Sequence, residues 1–425
     1  RYAGAHIAAV TVDPPQLFNP EGPRGIYVIG PSPGASPWYP GANWWLDREV
    51  QASLELFRPN RSTALRNDFG VQISGAYSRG YAQKNLDVIF RDPYGPKTVS
   101  AALFPNRSYT KHKRFRLRAS GNEFGRSGIR DAFTQQLFVT QDSPVDAADY
   151  APVITFLDGE YWGFTQLREK TTGDYLAQMH GVDPDNVDII DLVVSPQSQS
   201  DVVEVRDGNR LAFDALRAYV ASHAAAIQAD YGLVKSLVDV ENMASWFAAN
   251  VFVHNNDWPH NNARLWRERR PDARWRFTLH DDDFAFGFSA NPDANLYPAI
   301  GNSSKLGTLM GQLMKNPEFR TLYINVVADQ LNTNFDQANM LTRLDELLAV
   351  VEPLMPEHFA RFRPNGSTLA TFNSEIAKIR NFILAREAFY IRNTQTYFGL
   401  GTQARYVITL NVNDVAMGTD RKSVV

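Results

Sequence analysis

Two polar stretches hold the residues whose types and spacing could do chemistry. The first is His254-Asn255-Asn256-Asp257-Trp258-Pro259-His260-Asn261-Asn262. The second is His280-Asp281-Asp282-Asp283, which runs straight into Phe284-Ala285-Phe286-Gly287. Carboxylates and amide oxygens gathered in one place suit a hard divalent cation such as Mg²⁺, which prefers oxygen ligands and bound phosphates. Three consecutive aspartates alone are ordinary in a solvated turn. Here the run leads into an almost wholly apolar segment, and acids that near a core need a cation or a partner. The zinc pattern H-E-x-x-H does not occur in the chain. His254, His260 and His280 are read as hydrogen-bonding or loop residues rather than ligands, since Mg²⁺ favours oxygen.

The flanking elements are predicted to bring these stretches together. Residues 241–253 read as a helix that buries Met243, Trp246, Phe247 and Val251. Two strands follow, separated by a polar turn, the second alternating Trp275, Phe277 and Leu279 with Arg274, Arg276 and Thr278. A hairpin of that kind sets the Asp257 loop and the Asp281 loop at one edge. An Asp and Asn on one loop, two strands, then an Asp close to Phe-Gly is also the order of parts in the catalytic half of a protein kinase. The letters differ: the first loop has no His-Arg-Asp, and the second reads Asp-Phe-Ala-Phe-Gly.

Such a site needs donors for phosphates, and residues 75–84 offer a glycine turn leading into a strand. Lys84 shares parity with Leu86, Val88 and Phe90, so it faces the apolar side and calls for a carboxylate or a phosphate. Gly75 and Gly80 let a backbone approach a phosphate, with Ser78 and Arg79 as further donors. A plain hairpin turn with a snorkelling edge lysine is the alternative. Glu169 is a candidate partner for Lys84.

The 425 residues leave room for two to four structural units, and 44% hydrophobic with 12% aromatic content supplies their cores. Lys plus Arg at 43 against Asp plus Glu at 46 gives a net charge of −3, with no overall positive field to hold nucleic acid. The absence of cysteine excludes disulfides, thiolate zinc sites and a cysteine nucleophile. No window approaches the ~18 apolar residues of a membrane span.

Residues 1–60, dense in Pro, Gly and aromatics, read as a wrapping segment with short strands; 61–195 as a strand-rich lobe; 196–400 as a helix-rich lobe; and 401–425 as a β tail that begins a further module. Asp158-Gly159 between two apolar runs signals a two-residue hairpin. Ser127 is placed as the N-cap of a helix with Ile129, Phe133 and Leu137 on one face. Further helices are expected over 211–227, 233–237, 305–314, 318–332, 341–351 and 373–397. The class is α+β, with a cleft between the lobes as the natural place for a small-molecule site.

With these segments assembled, the chain resembles the CotH kinase family, atypical kinases named after spore coat protein H, from about residue 8 to residue 400. The resemblance rests on Gly25-Ile26-Tyr27, residues 75–84, Phe115-Arg116-Leu117-Arg118-Ala119-Ser120-Gly121-Asn122, Ile129-Arg130-Asp131, residues 158–164 with Leu167-Arg168-Glu169, and above all residues 256–262 and 281–287. It implies a diverged protein-kinase-like two-lobe fold, binding of ATP with Mg²⁺ or Mn²⁺, and transfer of the γ-phosphate to Ser or Thr of a surface, coat or secreted protein at an extracellular or cell-surface location.

Carried over, the resemblance makes Asp257 the catalytic Asp that orients or deprotonates the acceptor hydroxyl. Asn262 becomes a metal ligand, Asp281 the principal metal acid of the catalytic pair, and Asp283 the second acid. Gly75, Ser78, Arg79 and Lys84 would meet phosphates, with Glu169 on the same side. Two residues depart from the family pattern: His280 stands where Trp is usual, and Asp282 adds a third acid. Phosphoryl transfer needs positioning and charge neutralisation more than covalent chemistry, so this set suffices. Two other readings stay open: a catalytically silent surface adhesion or structural binding protein on the same scaffold, and transfer of an adenylyl group from the same nucleotide.

Overall fold

The computed structural model describes residues 2–401 except 32, 36–38, 141–142, 196–197, 199, 224–226, 228 and 301–305. The β tail expected beyond residue 401 lies outside the described residues, as does the helix start expected at residue 305.

Period-two alternation builds a barrel. Among the described residues, seven strands close in the order His6–Val12, Glu49–Phe57, Thr63–Ser74, Asn85–Ile89, Arg114–Arg118, Glu160–Arg168 and Tyr150–Leu157. Neighbours are antiparallel except at the closing seam, where Tyr150–Leu157 runs parallel to His6–Val12. Val10, Leu54, Phe69, Val71, Leu86, Val88, Phe115 and Leu117 fill the interior, and burying each such side chain contributes about 1.5–3 kcal/mol. Residues of the opposite parity, among them Asp87, Arg114, Arg116 and Arg118, face outward. The Asp158-Gly159 hairpin forms as predicted, with Leu157 opposite Glu160. Both turn residues have the positive φ of a type I′ turn, 51° and 83°.

Residues 1–60 supply two staves of this barrel rather than a wrapping segment, since His6–Val12 pairs with Glu49–Phe57 and that strand with Thr63–Ser74. The Pro- and Gly-rich chain between the two strands masks their alternation. The division at 195/196 likewise falls inside a sheet. Asp201–Asp207, Val187–Val194, Ala263–Glu268 and Arg276–Thr278 form a second, antiparallel sheet in that order.

The 3.6-residue pattern appears as Leu211–Ser222, Tyr231–Leu237, Val240–Val253, Gly307–Leu313, Pro317–Leu331, Gln337–Val351 and Leu369–Phe398. The last is 30 residues long, starts at a capping box of Thr368 and Thr371, and stops at left-handed Gly399. These helices share a core that includes Met243, Phe247, Val251, Phe286, Tyr323, Leu344, Ile379 and Phe382. The fold is therefore mixed α+β.

One cap differs from expectation. The helix Arg130–Gln136 buries Ile129, Phe133 and Leu137 as predicted, but its N-cap is Ile129. Ser127 instead donates to Glu123. The Glu123 carboxylate does the capping, accepting the amides of Ile129 and Arg130 at 3.3 Å each.

Candidate functional site

The helix Val240–Val253 delivers the Asp257 loop, and a buried guanidinium fixes where it ends. Arg386 donates to the carbonyls of Val251 (2.6 Å), Phe252 (2.7 Å), Pro292 (2.6 Å) and Ala294 (2.7 Å). A cation at the negative end of a helix is favourable, and the same bonds tie down the segment that follows the acidic run. His254 leaves the helix in the left-handed conformation, φ 52°. Trp258 anchors the loop against Trp246 and Phe247, at 5.2 and 5.0 Å between ring centres.

Asp257 sits on this anchor with 24% of its side chain exposed. Its Oδ2 accepts from the side-chain amides of Asn261 at 2.8 Å and Asn262 at 2.9 Å. Nε2 of His260 lies 3.5 Å from Oδ1. Burial, reinforced by the charge of Asp281, pushes the Asp257 carboxyl above its ordinary range, while the Asn261 and Asn262 amides pull it back.

The strand pair, in register with Arg264 opposite Thr278, lays the acidic run beside this loop as the spacing predicts. The Asn262 side-chain amide reaches the Asp281 carbonyl at 3.4 Å. Asn262 and Asp281 both hold positive φ, 55° and 58°, a region that Asn and Asp tolerate best among non-glycine residues. From the barrel's outer face, Arg118 donates Nη2 to Asp281 Oδ1 at 2.6 Å and lies 3.6 Å from Asp283 Oδ2. Its Nε is 3.5 Å from Asp131 Oδ2. Asp131 also holds Arg168 at 2.9 Å and accepts the Asp282 amide at 2.9 Å. Asp283 Oδ2 accepts the Asn122 amide at 2.7 Å, and Asp282 Oδ1 the Asn255 side chain at 3.2 Å.

Four carboxylates therefore crowd around two guanidiniums. Among the described residues, Asp282 Oδ2 and Asp283 Oδ1 are buried without a hydrogen-bond partner. Burial pushes both carboxyls well above the usual range, with Asp131 adding to Asp282 and Asp281 adding to Asp283. His280 brings no relief: burial and then Arg264 hold it down to about 3, so it is neutral. Buried carboxylate oxygens without partners leave a site short of positive charge, and a hard cation held by Asn262, Asp281 and Asp283 fits that deficit. Among the described residues no group of three or more His, Asp or Glu forms a metal cage by itself. Mg²⁺ characteristically takes one or two carboxylates and completes its shell with water and substrate phosphates.

The glycine turn touches this site through a bridge. The Tyr81 hydroxyl donates to Asn122 Oδ1 at 3.2 Å, and Asn122 is the residue whose amide meets Asp283. Lys84 faces inward as its parity predicts, but its ammonium donates to the carbonyls of Arg79 at 2.6 Å and Tyr81 at 2.8 Å and lies 4.0 Å from the Trp44 ring centre. Burial brings it down to about 7. It is not partnered by Glu169, whose carboxylate takes Arg107 at 2.8 Å and the Tyr109 hydroxyl, because a guanidinium fork within reach outcompetes a distant ammonium. Arg79 folds back onto the carbonyls of Gly75 (2.7 Å) and Trp44 (2.6 Å) and onto Asp47 (2.7 Å). The Ser78 hydroxyl accepts from Asn85 at 3.0 Å. The structure thus joins Asp257, Asn262, Asp281 and Asp283 in one network and makes Ser78, Arg79 and Lys84 the internal braces of the adjoining turn.

Arg118, Asn122, Asp131 and Arg168 fall in segments that carry the family resemblance, but neither it nor spacing gives them a role. For Arg118 a further signal is strand parity, since inward Phe115 and Leu117 oblige Arg116 and Arg118 to face out. Gly121 belongs to the same corner: at φ 60°, an added Cβ would lie 2.5 Å from Asp283 Oδ2 and 2.7 Å from Arg118 Nη2. Gly121→Ala is expected to lose more than about 1 kcal/mol of stability, since both the positive φ and the contact oppose it; the urea midpoint of the purified variant checks this.

A cleft of about 550 Å³ lined by His6, Asn106, Tyr150, Arg343 and Leu347 lies apart and includes none of the residues of the acid network. Among the described residues, no helix is long and apolar enough to cross a membrane. Comparison with curated proteins finds no match. The family model described as CotH kinase protein matches residues 71–390, a span that takes in the glycine turn, both polar loops and most of the helical core. The chain belongs to the CotH kinase protein family.

Proposed function

We propose that this protein is an atypical protein kinase that transfers the γ-phosphate of ATP to Ser or Thr hydroxyls of a secreted or surface protein. The observation that carries the reading is the direct contact of the Asp257–Asn262 loop with an acidic run that, with Asp131, sets four carboxylates around two guanidiniums. The barrel and the helical core would correspond to the two lobes of a kinase. Asn262, Asp281 and Asp283 would hold Mg²⁺ or Mn²⁺, which neutralises charge on the transferring phosphoryl group when bound. Asp257, anchored through Oδ2, is oriented to take the acceptor's proton at Oδ1 as the hydroxyl oxygen bonds to the γ-phosphorus and the bond to ADP breaks. Gly75 and the turn braced by Ser78, Arg79 and Lys84 would border the triphosphate, with Glu169 fixing the strand end behind it.

The test is incubation with γ-labelled ATP and Mg²⁺ or Mn²⁺, with and without a Ser/Thr-rich acceptor, alongside Asp257→Ala and Asp281→Ala. Label in the acceptor that both variants lose supports the reading, and the added mass separates phosphate from adenylyl. No label in the parent, with no nucleotide-dependent rise in melting temperature, would favour the binding-protein alternative. The pH profile adds a second check. Asp257 acts as base only when ionised and its pKa is raised, so kcat/KM is expected to rise with pH through a limb lying above the ordinary Asp value of about 3.9. The residual rate of Asp257→Ala should lack that limb.

A further inference from the structure

We infer that Arg118 is an internal counter-cation that keeps the metal's place between Asp281 and Asp283 and passes to the nucleotide phosphates when the metal enters, so that metal and nucleotide are taken up together. This deepens the kinase reading and rests on it. The guanidinium lies 2.6 Å from Asp281 Oδ1 and 3.6 Å from Asp283 Oδ2, between the two acids assigned to the metal. Its side chain is 8% exposed, so an anion rather than water must balance it.

Its other anchor, Asp131, holds it by charge without a hydrogen bond. The Nε is 3.5 Å from Asp131 and, among the described residues, has no hydrogen-bond partner. Asp131 keeps other partners when Arg118 moves: Arg168 at 2.9 Å, Gln135 at 2.9 Å and the Asp282 amide at 2.9 Å. Arg168 thus stays on Asp131, and Arg118 can leave Asp281 and Asp283 to an incoming cation without stranding Asp131.

A divalent ion and a guanidinium repel each other across a shared carboxylate oxygen, so metal entering alone must part Arg118 from Asp281 and leave it only Asp131, which Arg168 already holds. Metal entering with a nucleotide brings phosphates, and a planar guanidinium fork matches phosphate oxygens in two parallel bonds. The consequence is a positive coupling between metal and nucleotide, which by linkage must be reciprocal.

Mn²⁺ serves as the probe. Its binding to the full chain alone is followed by electron paramagnetic resonance, and the binding of a non-hydrolysable ATP analogue by calorimetry with and without saturating Mn²⁺. In the parent, Mn²⁺ is expected to tighten analogue binding by about tenfold or more, within the usual range of coupling. Arg118→Gln is expected to bind Mn²⁺ alone about tenfold more tightly, bind the analogue about tenfold more weakly, and lose most of the coupling. Arg118→Lys, which keeps a charge but not the fork, should restore weak Mn²⁺ binding without restoring the analogue.

Arg118→Gln binding Mn²⁺ no better than the parent overturns the inference and makes Arg118 a residue that merely organises the acids. Should Arg118→Gln unfold without metal, the rise of its melting temperature with Mn²⁺ replaces the titration, and a rise no larger than the parent's overturns the inference equally. Failure of the kinase reading looks different: neither protein then binds Mn²⁺ or the analogue in any combination.

Discussion

Asp257→Asn is expected to lower the turnover number for phosphate transfer by about 10²- to 10⁴-fold, the usual contribution of a positioned base, with little change in the KM for ATP. The split follows from how the two carboxylate oxygens are used. Oδ2 accepts the Asn261 and Asn262 amides at 2.8 and 2.9 Å, and an asparagine carbonyl in its place accepts both as well. The loop therefore keeps its shape while the proton acceptor is lost. Asp281→Asn should behave otherwise, raising the metal requirement as well as lowering turnover, because that carboxylate faces the proposed cation. Steady-state kinetics over a range of Mg²⁺ concentrations separates the two. An Asp257→Asn variant that retains parental turnover would remove Asp257 from the chemistry.

The largest expected effect on stability lies behind the site. Arg130 is fully buried and binds Glu123, Glu375 at 2.8 Å and the Phe286 carbonyl at 3.3 Å. It thus joins the corner after strand Arg114–Arg118, the helix Arg130–Gln136 and the long helix Leu369–Phe398. Arg130→Met would leave the buried Glu123 carboxylate without its cation, while Glu375 keeps Lys378 at 2.6 Å; breaking a buried pair in this way costs about 3–5 kcal/mol. Urea unfolding at neutral pH should show it as a large fall in midpoint. Adding Glu123→Gln to Arg130→Met should recover part of the loss, since it removes the stranded charge. A shift below about 1 kcal/mol would mean that water reaches the Glu123 carboxylate.

The sequence made the acid network legible because its parts are local. A helix, a polar loop and a hairpin fix where Asp257, Asn262 and Asp281 lie within a short stretch of chain, and periodicity reports each of those elements. Lys84 was legible only in its facing. Parity gives the side of a strand, not the partner, and the partners turned out to be carbonyls of the lysine's own turn. Arg118 was hidden for a related reason: it reaches Asp281 across a long loop of chain, and nothing local distinguishes it from Arg114 or Arg116. Ser127 shows the limit of a propensity rule, since a glutamate arriving from outside the helix satisfied the same orphan amides better. The barrel escaped altogether, because its seam pairs residues 6–10 with residues 153–157 in parallel, a juxtaposition that no window of sequence contains.

That seam bears on how the protein can be divided. The family match begins at residue 71, inside the strand Thr63–Ser74. A fragment trimmed to the match would keep both polar loops but discard His6–Val12, Glu49–Phe57 and most of a third stave. The remaining sheet would have two raw borders, one on the stub of Thr63–Ser74 and one along Tyr150–Leu157, with Val88, Phe115 and Val153 opened to water. Unpaired backbone groups beside exposed aliphatic side chains recruit other copies, so the trimmed piece should precipitate or assemble rather than fold. The stretch by which the family is recognised is narrower than the smallest stretch that can stand alone.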